Sequence, residues 1–294
     1  MQNNAADSPR ENPPAPNFSG RRSLADLLPR VLSAIVLIAA ALVSVWRGGL
    51  VFDLIWLGAA LAVGCEWQNL IAAPNRGPRV FFVALGLIVS AHFAGKAWIG
   101  TACSWLFGCG LALAVAAGRG RRIWAFGGVV YAGLLLVAAI ALHGSAEYGT
   151  RAIVWLYATV WGTDVFAYFG GRLIGGAKLW PKVSPSKTWS GTLIGVFIGA
   201  LLGAATGAYG LGGPSRALPL FALGIAAAAV SQAGDIFESW VKRRFGVKDS
   251  SGLIPGHGGF MDRLDGFIAA AAFAAFLGGA RGSASIAAGL FDWF

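Results

Sequence analysis

Ten charged side chains lie between positions 235 and 265 of a chain that is otherwise rich in Ala, Leu, Gly and Val. The acids are Asp235, Glu238, Asp249, Asp262 and Asp265, the bases are Lys242, Arg243, Arg244, Lys248 and Arg263, and the histidine is His257. Apolar runs flank this segment on both sides. Ionisable groups are kept near lipid when they pair with one another, with a metal ion or with a charged substrate. The segment is therefore predicted to hold the functional site.

The first half of this segment continues an apolar helix. Asp235, Glu238, Ser239 and Lys242 are spaced to fall on one face of that helix. Oxygen ligands without cysteine or paired histidine suit a hard cation, Mg²⁺ or Mn²⁺, with room for a second cation. The alternative is an ion pair between Glu238 and Lys242, four residues apart, that only joins two helices.

The second half contains the sequence GLIPGHGGFMDRLDG. Gly258 and Gly259 leave backbone N–H groups able to approach a phosphate, and the residues after them can start a helix whose positive end points the same way. Asp262 and Asp265, three residues apart, share the inner face of that helix. Together with Asp235 they are predicted to form a metal site from two helices.

The bases of the segment are predicted to have two roles. Lys242, Lys248 and Arg263 alternate with acids, so we expect them to contact phosphate groups, arginine as a two-pronged donor and lysine as a point charge. Arg244 ends a basic run at the membrane edge, where a simple anchoring role is expected.

A second polar region spans residues 161–192. Asp164 lies inside a predicted membrane span, which makes it a functional candidate or an acceptor for a neighbouring helix. Ser184, Lys187 and Thr188 precede the next span, where they could donate to phosphate oxygens. A serine or threonine there would equally cap the helix that follows, and both roles can hold together.

The composition indicates which elements position these residues. Of 294 residues, 56% are hydrophobic and 12% are charged, and the mean hydropathy is +0.66. These values predict an all-α, polytopic integral membrane protein. Nine spans are expected, at 31–46, 50–65, 80–98, 99–117, 123–143, 152–170, 191–213, 217–239 and 266–281. Residues 1–30 are predicted to form a disordered cytoplasmic tail, residues 31–122 the amino-terminal helices, and residues 123–294 a catalytic domain with polar loops 171–190 and 240–265.

The distribution of positive charge predicts the orientation. If alternate loops face the same side, eighteen Lys and Arg residues fall on the side of the amino terminus and five on the other. Cytoplasmic loops carry the positive excess, so the amino terminus and both polar loops are predicted to be cytoplasmic. The net charge of +10 then reflects topology and attraction to anionic membrane lipid, and no nucleic acid partner is expected.

Several familiar motifs are missing from the sequence. The closest approach to a P-loop, residues 171–178, has Ala177 at the lysine position, and neither a GxSxG elbow nor an HExxH helix occurs. The three cysteines form no CxxC pair. Soluble nucleotide-binding and zinc-protease chemistries are therefore excluded.

Residues 239–265 resemble the carboxyl-terminal signature of the phosphatidate cytidylyltransferase, or CDP-diacylglycerol synthase, family. That signature has the form S-x-x-K-R-x4-K-D-x5-P-x-H-G-G-x-x-D-R-x-D, and every fixed position is filled. The matching residues are Ser239, Lys242, Arg243, Lys248, Asp249, Pro255, His257, Gly258, Gly259, Asp262, Arg263 and Asp265. The region around Asp164 and residues 184–189 is also similar to the family, whereas Ser190 departs from the Glu that many members carry.

The resemblance implies that CTP and phosphatidate are the substrates and that CDP-diacylglycerol and pyrophosphate are the products. It implies that Asp235 and Asp262 hold the metal, with Asp265 as a further ligand or a supporting acid. Phosphates would be bound by Lys187, Lys242, Arg243, Lys248 and Arg263, and the nucleotide by the backbone around Gly258 and Gly259. His257 is the leading general base only if the reaction requires one. The expected location is a bacterial-type inner membrane, with the site facing the cytoplasm and with monomer or homodimer left open.

Two other classes of protein remain as alternatives. A membrane CDP-alcohol phosphotransferase or lipid kinase would also use carboxylates and Mg²⁺, but the phosphotransferase motif is absent from the sequence. An ion-coupled transporter would explain Asp164 and Asp235. It would not explain the glycines followed by DRLD, or the concentration of bases on one side.

Overall fold

The computed structural model describes residues 24–209 and 217–292. Within these two ranges, nine helices are long and apolar enough to cross a membrane, which confirms the predicted all-α membrane architecture. They are α1 Leu24–Arg47, α2 Gly49–Leu70, α3 Arg76–Gly95, α4 Ile99–Ala116, α5 Arg122–His143, α6 Gly149–Ile174, α7 Trp189–Ala208, α8 Ala217–Arg244 and α9 Met261–Ala280, followed by the short helix α10 Ala288–Phe291. Helices are the expected solution in lipid because they satisfy their backbone hydrogen bonds internally.

The helices extend beyond the apolar windows that predicted them. Helix α1 begins at Leu24, so the expected tail is helical over 24–30, while residues 1–23 lie outside the described residues. Helix α8 continues to Arg244, five residues beyond the predicted span. Its last residues are charged, so they extend the helix but lie outside the apolar window from which the span was predicted. Helix α7 ends at Ala208, and positions 210–213 of the predicted span lie outside the described residues.

A short hairpin was not predicted from the sequence. Strand β1 (Lys178–Trp180) pairs antiparallel with β2 (Ser184–Thr188), inside what was expected to be a loop. The Thr188 hydroxyl then accepts a hydrogen bond of 3.2 Å from the backbone N–H of Gly191, which confirms its predicted capping role for α7. The hairpin fixes Lys187 beside α8.

Helices α6 and α7 approach each other very closely along a stripe of glycines. The stripe consists of Gly191, Gly195, Gly199 and Gly203. A methyl group added at Gly195 would lie 2.5 Å from the backbone oxygen of Thr163 on α6. Small residues at this spacing let membrane helices pack backbone to backbone. The stripe therefore fixes the position of α6, which carries Asp164.

Candidate active site

A polar cavity of about 450 Å³ lies between α6, β2, the start of α7, α8 and α9. Its charged and amide-bearing lining residues are Asp164, Arg172, Lys187, Gln232, Asp235, Asp262, Arg263 and Asp265. The structure thus brings together residues from both polar regions identified in the sequence. Acids and bases face the same space, which suits a substrate that is itself highly charged.

A chain of polar contacts crosses this cavity. Nζ of Lys187 lies 2.6 Å from Oδ2 of Asp235 and donates a 3.0 Å hydrogen bond to Oε1 of Gln232. The amide nitrogen of Gln232 donates at 3.1 Å to Oδ1 of Asp164. Both charged groups of the ion pair keep partial access to solvent, with side-chain exposures of 16% for Lys187 and 29% for Asp235. An incoming anion can therefore reach the lysine.

Gln232 was missed by the sequence analysis. It lies three residues before Asp235, which places it on the same helical stripe. That spacing was available in the sequence as a signal. Its role in joining α6 to β2 depends on helix packing, which the sequence did not specify.

Lys242 lies in a second, more enclosed cluster. Its Nζ is 2.7 Å from Oε2 of Glu238 and 2.6 Å from Oδ1 of Asp262. The Glu238 side chain is fully buried. The ion pair left open by the sequence is confirmed, and Asp262 joins it. Lys242 does not line the polar cavity, so the structure places it behind the cavity wall, where it fixes Asp262.

Asp262 organises the loop that precedes α9. Its Oδ2 accepts hydrogen bonds from the backbone N–H of Ser250 at 2.9 Å, the hydroxyl of Ser250 at 2.9 Å and the backbone N–H of Gly259 at 2.7 Å. With Lys242 on the other oxygen, this carboxylate already has a full set of protein partners. Asp262 therefore joins Ser250 and Gly259 of the loop to the start of α9.

The glycines of the HGG sequence allow these close approaches. Gly258 has φ +84°, and a Cβ on it would lie 2.7 Å from Oδ2 of Asp262. A Cβ on Gly259 would lie 2.6 Å from the carboxylate oxygens of Glu66. The N–H of Gly259 was expected to be available for the nucleotide. In the structure it donates to Asp262 instead, because the loop folds around that carboxylate.

Glu66 on α2 is the second residue that the sequence analysis missed. Its side chain is 1% exposed. Oε1 accepts hydrogen bonds from Ser251 Oγ at 2.7 Å and the N–H of Phe260 at 2.9 Å, and Oε2 accepts from the N–H of Met261 at 2.8 Å. The carboxylate thus caps the start of α9 from a distant helix. An acid inside an apolar run was the available signal.

We expect Glu66→Ala to destabilise the protein by about 2–4 kcal/mol, because it leaves buried donors without an acceptor. Glu66→Gln should lose less, since one amide oxygen still accepts. The measurement is thermal unfolding of the purified protein in detergent. The matched control is Glu147→Ala, which removes an exposed acid. Equal unfolding temperatures for Glu66→Ala and Glu147→Ala would contradict the capping role.

His257 lies outside the polar cavity. Its Nδ1 is 2.7 Å from Oγ of Ser33 on α1, and its backbone oxygen accepts a 3.0 Å hydrogen bond from Nε of Arg263. Partial burial and the positive charges of Arg263 and Arg30 lower the pKa of His257 below its ordinary value. This lowered pKa favours the neutral imidazole, and the direct contact of the ring is with Ser33 on α1.

Other predicted substrate-binding residues also lie away from the cavity. Arg243 and Lys248 are exposed, and Nη1 of Arg243 donates to the backbone oxygen of Val247 at 3.2 Å. Ser184 pairs with Trp180 in the hairpin, whereas Ser186 lines the cavity. The Ser239 hydroxyl donates to Asp235 at 3.4 Å.

The donors that line the cavity suit a hard cation. Among the described residues, no group of three His, Cys, Asp or Glu side chains converges on one point. Asp262 was predicted to hold the metal, but both of its carboxylate oxygens already accept hydrogen bonds from the protein. Oδ1 of Asp265 accepts a 2.7 Å hydrogen bond from the N–H of Gly266. Mg²⁺ is commonly bound by only one or two carboxylates, with water and substrate phosphates as the other ligands. Asp235 and Asp265 provide such a partial set of oxygen ligands.

Comparison with known proteins gives a consistent result. The chain matches the sequence model of the cytidylyltransferase family over residues 28–279. A Brucella abortus protein named phosphatidate cytidylyltransferase is 37% identical over 254 residues, covering 85% of this chain and 92% of that protein. Proteins with the same name are 32% identical in Haemophilus influenzae, over 83% of this chain and 96% of theirs, and 34% identical in Pseudomonas aeruginosa, over 82% and 93%.

Proposed function

Because the chain belongs to the cytidylyltransferase family, we propose that its polar cavity is the active site in which CTP and phosphatidate form CDP-diacylglycerol and pyrophosphate. The chain is a nucleotidyltransferase with many membrane passes. The observation that carries the assignment of the site is the Lys187–Asp235 pair, 2.6 Å apart and partly open to solvent, beside Arg263.

The reaction brings two polyanions together. An oxygen of the lipid phosphate attacks the α-phosphorus of CTP, the new P–O bond forms, and the bond from that phosphorus to the bridging oxygen breaks as pyrophosphate leaves. A phosphate monoester is ionised near neutral pH, so no side chain has to remove a proton. Catalysis then depends on alignment and charge neutralisation. Lys187 and Arg263 supply positive charge where both phosphates can reach them.

A divalent cation, Mg²⁺ or alternatively Mn²⁺, fits the oxygen donors of the cavity. Asp235 and Asp265 would hold it, and Asp262 would fix the helix from which Asp265 projects. When bound, the cation neutralises charge on the nucleotide phosphates. Gln232 and Asp164 keep the amine of Lys187 directed into the cavity.

The test is a pyrophosphate-release assay with purified protein, CTP, Mg²⁺ and phosphatidate. We expect pyrophosphate and CDP-diacylglycerol in equal amounts. The control replaces phosphatidate by diacylglycerol, which lacks the attacking phosphate and should release nothing. Release of CDP in that control would instead indicate a lipid kinase. No turnover of CTP under either condition would favour the transporter alternative.

The cavity is proposed to face the cytoplasm of a bacterial inner membrane. The distribution of Lys and Arg supports this orientation, because Lys187 and Arg263 belong to the loops on the side that carries eighteen of the 23 positive residues. We expect a cysteine at Gly252, which is exposed, to react with an impermeant thiol reagent only after the inner face is opened. A cysteine at Asp292 should react in intact cells. Both are placed in a background without Cys65, Cys103 and Cys109, and labelling of both from the same side would contradict the orientation.

A further inference from the structure

An apolar cavity of about 460 Å³ lies next to the polar one, between α1, α2, α6 and α9. Its walls are mainly hydrocarbon and aromatic side chains, among them Leu37, Ala41, Trp56, Trp161, Leu264 and Phe267. Trp161 and Tyr157 stack with ring centroids 4.6 Å apart, so two packed aromatic rings form one wall of the cavity. The proposed CTP and metal chemistry makes no use of this space.

Two residues belong to both cavities. Asp164 and Arg263 line the polar cavity on one side and the apolar cavity on the other. A molecule with a phosphate at one end and a hydrocarbon chain at the other could therefore occupy both without a break. Along α1 the apolar cavity runs from Ala34 to Ala41, a distance of about 10 Å at the rise of an α-helix.

We propose that this apolar cavity binds one acyl chain of phosphatidate, with the lipid phosphate beside Arg263. The inference rests on the proposed function, because it assigns part of the same substrate to a second site. The hydrocarbon tail gains little from leaving one apolar medium for another, since membrane lipid is as apolar as the cavity. The benefit is positional: a held chain keeps the phosphate aligned with the nucleotide.

Helix α1 forms the outer wall of this site and is held at few points. Most of its large apolar side chains, such as Ile35 and Val36, are exposed to the lipid side. Its polar ties among the described residues include the 2.7 Å contact of Ser33 with His257 and a 3.1 Å hydrogen bond from the Ser33 hydroxyl to the backbone oxygen of Pro255. The Tyr157 hydroxyl also donates a 3.4 Å hydrogen bond to the backbone oxygen of Ala41. A chain could enter from the bilayer beside α1, and His257 is assigned to fastening that helix over the site.

The experiment measures kcat/KM for dibutyryl, dihexanoyl and dioctanoyl phosphatidate, below their micelle-forming concentrations. Each methylene that leaves water for the cavity should raise kcat/KM by up to about fourfold. Ala34→Phe and Ala59→Phe fill the cavity from α1 and α2, so the dioctanoyl-to-dibutyryl ratio should fall at least about tenfold. Because longer chains also partition into detergent, the ratio is compared with that of Ala39→Phe, which adds the same ring on the exposed face of α1.

The outcomes separate this inference from the proposed function. No turnover of any phosphatidate by the unaltered protein would overturn the proposed function. Turnover with the same chain-length ratio in the filled and the Ala39→Phe variants would overturn only the acyl-chain site. If the phenylalanine variants do not insert, a phosphatidate with a diazirine near the chain end is photolysed on the unaltered protein. Labelling beside Leu37 or Trp161 is expected, and labelling only of outward residues such as Phe197 would reject the site.

Discussion

Asp235→Asn should lower kcat at least about 100-fold, with the protein still inserted in the membrane. The carboxylate lies 2.6 Å from Lys187 and is one of the two acids proposed to hold the cation. The substitution keeps the shape of the side chain but removes the negative charge that pairs with Lys187 and would bind the cation. Preorganised electrostatic groups of this kind contribute about 10²–10³ to turnover. The measurement is pyrophosphate release at saturating Mg²⁺.

The matched control for this prediction is Asp249→Asn. Asp249 lies in the same charged segment, residues 235–265, but it is exposed and does not line the cavity. Its loss should change kcat by no more than about twofold. A turnover near that of the unaltered protein for Asp235→Asn would remove both the cation assignment and the role of the Lys187 pair.

Lys242→Ala should reduce both stability and turnover strongly. The amine neutralises Glu238 and Asp262 inside the protein, and removal of one partner from a buried ion pair costs about 3–5 kcal/mol. Lys242→Arg should restore only part of the loss, because a planar guanidinium does not replace an ammonium group between two carboxylates at 2.6–2.7 Å. Thermal unfolding and pyrophosphate release are measured on the same preparations.

A double substitution tests the reason for that loss. Glu238→Gln combined with Lys242→Ala removes the unpaired buried acid, so part of the stability should return. If the double variant is no more stable than Lys242→Ala, the ion-pair explanation is wrong. Arg244→Ala is the control, since Arg244 is exposed and is expected to serve only as a membrane-edge charge.

The membrane architecture could be predicted from the sequence because span formation depends on local hydropathy and length. The presence of Asp164, Asp235 and Asp265 at the candidate site could also be predicted, because an acid within or beside an apolar span usually serves function or pairs with another group. The family signature added the reaction. These predictions depend on neighbours along the chain, or on residue types that are costly in lipid.

The parts that could not be predicted depend on which helices meet. Gln232 matters because α6, α8 and the hairpin converge on it, and the sequence gives no distance between them. Lys242 was expected to contact phosphate, but α9 brings Asp262 to it and closes it off from the cavity. The role of Gly259 changed for the same reason, because its N–H meets a carboxylate of the protein first.

The contact of Glu66 with α9 has a consequence for the exchange of parts between relatives. Consider a chimaera that takes its amino-terminal helices from one protein and its carboxyl-terminal half from another. Its capping glutamate on α2 then comes from the first protein, and the loop and the start of α9 that donate to this glutamate come from the second. Such a hybrid would be less stable unless the residues at positions 66, 250, 251 and 259, here Glu66, Ser250, Ser251 and Gly259, came as a compatible set. Substitutions at position 66 and at positions 250–261 should therefore be correlated among relatives, because the two segments share one hydrogen-bonded contact.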